Sequence, residues 1–151
     1  MRLTRAGEYA IRCIYHLASQ GAGVLTKRQQ IAQAMDIPDQ FLGKIAQQLA
    51  QAGLIEIVQG SKGGMRLVMS PQKVSMLDVI EAVIGEIFLN DCIIRPESCD
   101  RGKSCVAHQV WKIARDQLRD TLAEATFDKL VDEETIFQPF CIKDIASKQK
   151  P

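Results

Sequence analysis

Residues 25–70 read LTKRQQIAQAMDIPDQFLGKIAQQLAQAGLIEIVQGSKGGMRLVMS, and this stretch decides the fold. Its first part predicts a helix, because Thr26 and Gln29 have the spacing of a capping box and apolar residues then recur at helical intervals. That helix must end before Pro38, since proline disfavours helical geometry in the residue that precedes it. A second helix is predicted from about Pro38 to a glycine stop at Gly53. Its expected apolar stripe consists of Phe41, Leu42, Ile45, Leu49 and Ala52.

Two segments of alternating character follow the second predicted helix. Ile55 and Ile57 flank a polar residue, Met65 and Leu67 do the same, and QGSKGG lies between the two segments. This pattern is typical of a β-hairpin with a glycine-rich tip. Two helices joined by a short turn and followed by a hairpin indicate a winged helix-turn-helix, whose second helix enters the major groove of DNA.

The flanking sequence predicts three more helices. The first covers residues 3–19, with Thr4 as its cap and Cys13 as a small residue of the buried face. Another lies in SMLDVIEAVIGEI, and a long amphipathic helix runs from about 104 to 124. The long helix exceeds what the N-terminal domain needs to cover itself, so we expect its apolar stripe to meet the same helix of a second subunit. The stripe consists of Val106, Val110, Ile113, Ala114, Leu118 and Leu122.

These patterns predict a mostly α-helical protein with a small β-hairpin. We expect a winged helix-turn-helix DNA-binding domain plus a long C-terminal dimerisation helix. The expected divisions are residues 1–85 for the DNA-binding domain, 86–108 for a cysteine-rich loop, 104–130 for the dimerisation helix and 131–151 for a C-terminal tail. We expect the final residues of the tail to be disordered.

Composition limits the class of protein. The chain is 46% hydrophobic and 25% charged, which is close to average for a folded soluble protein. Residues 1–80 carry nine Lys/Arg and five Asp/Glu, whereas residues 81–151 carry ten and thirteen, so the first half is basic and the second acidic. Neither a signal peptide nor a membrane span is apparent, which predicts a cytoplasmic protein. There is also no nucleophile–base pair, paired catalytic carboxylates or cofactor loop, so we do not expect an enzyme.

The second helix of the motif has a polar outward face with little charge, which suits the reading of base edges. Glutamine can pair with adenine, and lysine can contact guanine or phosphate. Lys62 at the hairpin tip can approach a phosphate, while Lys27, Arg28 and Arg2 could bracket the DNA backbone. The predicted DNA contacts are Arg2, Lys27, Arg28, Gln40, Lys44, Gln47, Gln48 and Lys62. A solvated helix face is the alternative for any one glutamine, and winged helices also serve as protein-interaction modules.

Residues 92–108, CIIRPESCDRGKSCVAH, contain three of the five cysteines and one of the two histidines. Their C-x6-C-x5-C spacing fits neither a zinc ribbon nor a ferredoxin. Cys105 and His108 lie three residues apart at the start of the long helix, so both can face the same way. In a reducing cytoplasm such a group indicates metal or redox chemistry, and chemistry alone suits zinc and an iron–sulfur cluster equally. Cys141, far along the chain, is expected to be buried or unused.

Four motifs occur in the order typical of one family: MRLTRAGEYAIR, FLGKIAQQLAQAGLI, GSKGGMRL and DVIEAVIGEI. The chain resembles the IscR/NsrR family of bacterial winged-helix transcription regulators over about residues 1–130. Three positions depart from that pattern. Many members have an aromatic residue where Met65 stands, an arginine where Gln59 stands, and a glutamate or similar side chain where Gly43 stands. The DNA sequence preference therefore does not carry over.

The resemblance implies an iron–sulfur cluster in the cysteine loop, with 2Fe-2S favoured over 4Fe-4S. Cys92, Cys99 and Cys105 match the three family cysteines, and His108 matches the histidine of IscR-like members. In some relatives the fourth ligand is instead an acidic residue from the first helix of the partner subunit. Glu8 occupies that place here, and His108 is preferred to it.

The sequence thus predicts a homodimer that binds double-stranded promoter DNA and regulates transcription. Its affinity would be controlled by an iron–sulfur cluster that senses iron, redox or nitric oxide status. One alternative keeps the regulator but places a zinc site or a thiol switch in the loop. Two others are a redox enzyme or electron carrier, and a cluster-free interaction module.

Overall fold

The computed structural model describes residues 4–101 and 104–132, which form seven α-helices and one two-stranded sheet. In chain order the elements are α1 (Arg5–Gln20), α2 (Arg28–Met35), α3 (Asp39–Gln51), β1 (Ile55–Val58), β2 (Gly64–Leu67), α4 (Met76–Ile84), α5 (Asp91–Ile94), α6 (Val106–Glu124) and α7 (Phe127–Val131). Short 3-10 turns cover Pro71–Lys73 and Pro96–Ser98. The predicted fold class is confirmed. Arg2, Cys141 and all but the first two residues of the predicted tail lie outside the described residues.

The first helix begins where the sequence predicts. Thr4 Oγ1 accepts a hydrogen bond from the Gly7 N–H at 3.3 Å, which satisfies one of the free donors at the start of α1. The apolar face of α1 packs against α3 and α4 and forms the centre of the core. Cys13 is completely buried there, as predicted. The core includes Ala10, Ile14, Leu17, Ile31, Leu42, Ile45, Leu49 and Val79.

The predicted capping box at the start of α2 is wrong. The Thr26 backbone pairs instead with Met65 of β2: its N–H donates at 2.9 Å and its carbonyl accepts at 2.8 Å. The helix begins later, and Gln30 Oε1 accepts a hydrogen bond from the Lys27 N–H at 3.2 Å. Pairing with the strand prevails because Thr26 is buried, and a buried backbone must have its hydrogen-bonding groups satisfied.

The hairpin has the predicted alternation. β1 and β2 are antiparallel, with Ile55 opposite Leu67 and Val58 opposite Gly64. Ile55, Met65 and Leu67 point into the core, while the loop between the strands is exposed. Because Met65 also pairs with Thr26, two residues before α2, the hairpin is fixed to the helix-turn-helix as a wing.

The third helix differs in part from the predicted stripe. Its fully buried residues are Leu42, Ile45, Ala46 and Leu49. Phe41, which we expected inside, is 49% exposed, and its ring centre lies 6.1 Å from that of Tyr9. Ala52, which we also expected inside, is exposed and follows the last residue of the helix, whereas Ala46 is buried.

The long helix predicted from about 104 to 124 is present as α6, Val106–Glu124, which is shorter than the expected dimerisation region over 104–130. It ends at Glu124, and the chain then returns to the N-terminal core as α7. Phe127 is completely buried, and its N–H donates to the Val74 carbonyl at 2.9 Å. The Met76 N–H donates to the Ala125 carbonyl at 2.9 Å. Burial of one aromatic side chain thus ends α6 and ties its C-terminus to the DNA-binding domain.

The single apolar stripe expected on α6 is divided between two faces. Leu118 and Leu122 are half-buried on the side that packs on α4. Val106, Val110 and Ile113 face outward and are 82%, 55% and 57% exposed. Each helix described in residues 4–101 and 104–132 is too short or too polar to span a lipid bilayer.

Candidate nucleic-acid interface and cysteine segment

The exposed side of α3 carries three of the predicted DNA contacts. Gln40, Lys44 and Gln47 recur at helical spacing, and all three are exposed. Their opposite face is the buried stripe that packs on α1. The helix is therefore held rigidly by its apolar side while it presents two amides and one ammonium group to solvent.

Gln48 does not share that face. It is half-buried, and its side-chain amide donates to the carbonyl of Val83 near the end of α4 at 3.2 Å. The prediction placed all glutamines of the helix on one outward face. Successive helical residues point in different directions, however, and Gln48 points towards α4 while Gln47 points to solvent. The Gln48 contact links α3, which is predicted to read base edges and is called the reading helix below, to α4.

Arg28 belongs to α2 but lies across the first turn of α3. Its Nε donates to Asp39 Oδ1 at 2.7 Å, and its Nη2 donates to Asp39 Oδ2. Hydrogen bonding from the Arg28 guanidinium holds the pKa of the Asp39 carboxyl below its ordinary value, and the same bond raises the pKa of Arg28. Asp39 is absent from the predicted site. A pattern in the sequence could have indicated it: an arginine is the first residue of α2, and an aspartate is the first residue of α3, which follows after a short turn.

A cleft of about 370 Å³ lies between the reading helix and the wing. Its lining includes Lys27 and Arg28, Gln47 of α3, and hairpin residues 57–61 and 63–65. Lys62 at the loop tip is exposed. The structure therefore brings the predicted cations of α2 and the amide of α3 around one concave surface.

The cysteine segment, defined here as residues 92–108, contains α5, a 3-10 turn and the start of α6. Cys92 and Cys105 are half-buried and Cys99 is exposed, and none of the three is in a disulfide. Within residues 4–101 and 104–132, no three His, Cys, Asp or Glu side chains lie close enough together to hold a metal ion. The predicted ligands within this segment are thus neighbours along the chain without converging on one point.

His108 is the distinctive residue of the cysteine segment. Its Nδ1 is buried, and no described residue provides it with a hydrogen-bond partner. The backbone N–H of His108 donates to the Cys105 carbonyl at 3.2 Å, which places the two residues one turn apart at the start of α6. Buried polar atoms are nearly always paired in native proteins, so a bound group at this nitrogen would satisfy it. Glu8, the competing candidate, is exposed in the first turn of α1.

A polar network fixes the chain that leads into the cysteine segment. Glu81 of α4 accepts hydrogen bonds from the Ile87 N–H at 2.9 Å and from the Arg119 guanidinium of α6. Arg115 of α6 donates to the Ile87 carbonyl at 3.3 Å and pairs with Glu86. Ile87 itself is buried. The backbone just before Cys92 is therefore held by α4 and α6 together.

Comparisons with known proteins agree with this geometry. Residues 3–133 match the family model described as "Rrf2: Iron-dependent Transcriptional regulator". The chain is 32% identical over 132 residues to Protein aau3 of Rhizobium meliloti, which covers 87% of this chain and 85% of that protein. It is 28% identical over 149 residues to the HTH-type transcriptional regulator IscR of Pectobacterium carotovorum, with 99% and 87% covered. The structure of the oxidised form of CymR from Staphylococcus aureus superposes with a TM-score of 0.67 at 27% identity, covering 87% and 97% of the two chains. The matched family is one of transcriptional regulators and not of enzymes, in agreement with the prediction from sequence.

Proposed function

The chain belongs to the Rrf2 family of transcriptional regulators, and from this membership we propose that it is a homodimer whose affinity for promoter DNA is controlled by an iron–sulfur cluster in the cysteine segment. DNA binding itself is a property of the family. The choice of signal, the ligands and the coupling are the parts that we propose, and the protein would act in the cytoplasm, where promoter DNA lies.

The exposed polar face of α3 and the cleft beside it support major-groove binding. Gln40, Lys44 and Gln47 have the donors and acceptors needed to read base edges. Lys27 lines the cleft, and Lys62 is exposed at the tip of the hairpin loop that borders it. Lysine ammonium groups at these places can contact the phosphate backbone and fix the register.

The observation that carries the cluster assignment is the buried and unpartnered Nδ1 of His108. It lies one helical turn from Cys105, in a segment with two more free thiols. Three thiolates and an imidazole are a donor set that fits iron–sulfur ligation. Cys92, Cys99 and Cys105 would hold the group with His108, or with Glu8 of the partner subunit in place of the histidine. We favour a 2Fe-2S over a 4Fe-4S cluster.

When bound, the cluster supplies a centre that oxygen, nitric oxide or iron shortage can remove or modify. The residues of the chain provide the response. Convergence of the three thiols would order the cysteine segment, and Ile87, held by Glu81 and Arg115, joins that segment to α4 and α6. The Gln48 side chain donates to the carbonyl of Val83 near the end of α4. A shift of this end of α4 would therefore move the reading helix.

The outward apolar face of α6 supports a homodimer. Val106, Val110 and Ile113 are mostly exposed, and they form a stripe along one helix face. A second copy of this helix, packed antiparallel or parallel, would cover the stripe. Two reading helices related by a twofold axis suit a palindromic operator, whose half-sites lie about one helical turn or a multiple apart.

A thiol switch is the second candidate, because the three loop cysteines are free, partly or fully accessible, and not gathered round one point. CymR of S. aureus, a similar protein, has been solved in an oxidised form. A pair of these thiols could be oxidised to a disulfide and reorder the same segment. Zinc is a third occupant that the same donors would accept.

The decisive experiment is purification without air from iron-replete cells, followed by iron, zinc and acid-labile sulfide analysis and a visible spectrum. A cluster predicts coloured protein with matching iron and sulfide, both lost in Cys92→Ala and both kept in the neighbouring control Ser98→Ala. Zinc without sulfide would establish the zinc site instead. Colourless protein that forms a disulfide between loop cysteines on exposure to oxidant would establish the thiol switch.

A further inference from the structure

Arg28 is not an independent surface cation. Its Nε and Nη2 are both engaged by the Asp39 carboxylate, which leaves Nη1 outside the ion pair. The pair is accessible, since the side chains of Arg28 and Asp39 are 47% and 57% exposed. A guanidinium held along one edge by a carboxylate has a fixed plane and direction, unlike a free arginine, which samples many rotamers.

Gly43 provides the space in which this guanidinium lies. A Cβ atom at Gly43 would be 3.2 Å from Arg28 Nη1 and 3.5 Å from its Cζ. The guanidinium therefore lies against the backbone of α3, one turn after Asp39. Arg28 also lines the same cleft as Gln47 and Gly43, so the arginine belongs to the surface proposed to read DNA.

The edge of the Arg28 guanidinium that Asp39 leaves free matches the acceptors of a particular base. With the Nε side occupied, the terminal Nη1 and Nη2 still present N–H donors in one plane. Guanine offers two adjacent acceptors, O6 and N7, in the major groove, and a planar pair of arginine donors matches them. We propose that Arg28, oriented by Asp39 and admitted by Gly43, reads a guanine in each operator half-site; the assignment rests on the proposed DNA-binding function.

Charge argues for a base and against a phosphate as the target. The Asp39 carboxylate stays ionised beside Arg28 and cancels its charge, so the pair as a whole attracts a phosphate little. The neutral pair still recognises a base through geometry, because hydrogen-bond direction does not depend on net charge.

The test is selection of duplexes from a random-sequence library, with air-free protein and with two variants. The wild-type protein is expected to select guanine at one position of each half-site. Arg28→Lys keeps the charge without the planar fork, so it should lose the preference at that position alone, and affinity for the guanine operator should fall on the order of 10-fold. Asp39→Asn should relax the same position while it strengthens binding to unrelated DNA, because a negative charge is removed.

A modified base sharpens the result. Replacing that guanine with 7-deazaguanine removes the N7 acceptor, which should weaken binding of the wild-type protein and leave binding of Arg28→Lys nearly unchanged. Circular dichroism confirms folding of both variants, whose altered side chains are exposed. A guanine preference retained in Arg28→Lys overturns the assignment, as does an equal loss on all sequences, which is the mark of a phosphate contact. A wild-type protein that selects no sequence would overturn DNA binding itself, and this assignment with it.

Discussion

At the scale of single residues, Gly64 is where the wing comes closest to the helix-turn-helix. A Cβ atom there would lie 2.4 Å from the Thr26 carbonyl oxygen, a distance that real Cβ atoms do not show. That same oxygen accepts the hydrogen bond from the Met65 N–H at 2.8 Å. The glycine is therefore required by the close approach of two backbones.

We predict that Gly64→Ala lowers the free energy of unfolding by about 1–3 kcal/mol, as overpacking of a tight site does. The alanine must push the hairpin away from Thr26, so DNA affinity should fall as well. Urea unfolding measures the first effect. The control Ser61→Ala at the exposed loop tip should change stability by less than about 0.5 kcal/mol; equal stability of the two variants would contradict the packing described here.

Cys13 gives the structure a measurable pH dependence. Burial raises the pKa of Cys13 from 9.0 to about 12. Between these values the unfolded chain loses the thiol proton and the folded chain keeps it, so stability falls as pH rises through this window. One pH unit above 9.0, the stability advantage of the wild-type protein over Cys13→Ala should have shrunk by about 1.4 kcal/mol. Urea unfolding of both proteins at several pH values tests this, and a constant difference would show that the thiol is not buried.

Sequence predicts single residues well where the cause is local. Thr4 caps α1 as expected, and Cys13 is buried as expected, because both follow from helical spacing. The role of Thr26 could not be predicted, since its backbone forms hydrogen bonds with β2, a strand distant in sequence. The role of Asp39 depends on how two helices cross, and its sequence position alone does not reveal the partner.

At the scale of elements, α6 has two uses. Its inner face packs on α4, while Val106, Val110 and Ile113 face outward. We predict that Val110→Glu converts the proposed dimer to a monomer, because a carboxylate would be buried in the apolar interface that we propose. Since Val110 is 55% exposed, the fold of the single chain should change little.

Light scattering after size-exclusion chromatography measures the assembly. The control Lys112→Glu places a negative charge on the same helix away from the stripe and should remain dimeric. A dimeric Val110→Glu protein would exclude this face as the interface.

The network around Glu81 is the second element-scale feature. Glu81→Gln retains an acceptor for the Ile87 N–H but loses the charge that pairs with Arg119. The variant should fold and bind DNA, yet the difference in DNA affinity between cluster-loaded and cluster-free protein should shrink. Operator titration of both forms tests this, with Glu124→Gln, an exposed position at the end of α6, as the control. A full difference retained in Glu81→Gln would show that coupling bypasses this network.

The periodicity of apolar residues predicts some elements of this structure correctly and misses features of others. The helix-turn-helix and the wing follow from patterns within 25–70, because each pattern reports one buried face. The division of the α6 stripe into two faces was not predicted, since an apolar residue does not indicate which neighbour covers it. The separate α7 was missed for the same reason: Phe127 is buried by contacts with Val74 and α1, which are distant in sequence.

At the scale of the whole molecule, the basic N-terminal half carries the surface proposed to read DNA. The acidic half carries the cysteine segment and the helix proposed to form the dimer. The hydrogen bond from Gln48 to the Val83 carbonyl joins the two halves, while Glu81 and Arg115 hold Ile87 within the second half. A change in the cysteine segment can therefore reach the reading helix through packed and hydrogen-bonded structure. Sequence could predict both halves but not this connection, since the pairs are separated by many residues.

The most direct test is an air-free titration of operator DNA, selected from random sequence, with cluster-loaded and with cluster-free protein. Ligand control of a regulator is typically worth about 1–3 kcal/mol, so the two affinities should differ by roughly 5- to 150-fold on at least one operator. Cys92→Ala should behave as the cluster-free protein does. Equal affinities of loaded, cluster-free and Cys92→Ala protein for every selected operator would contradict control of DNA binding by the cysteine segment.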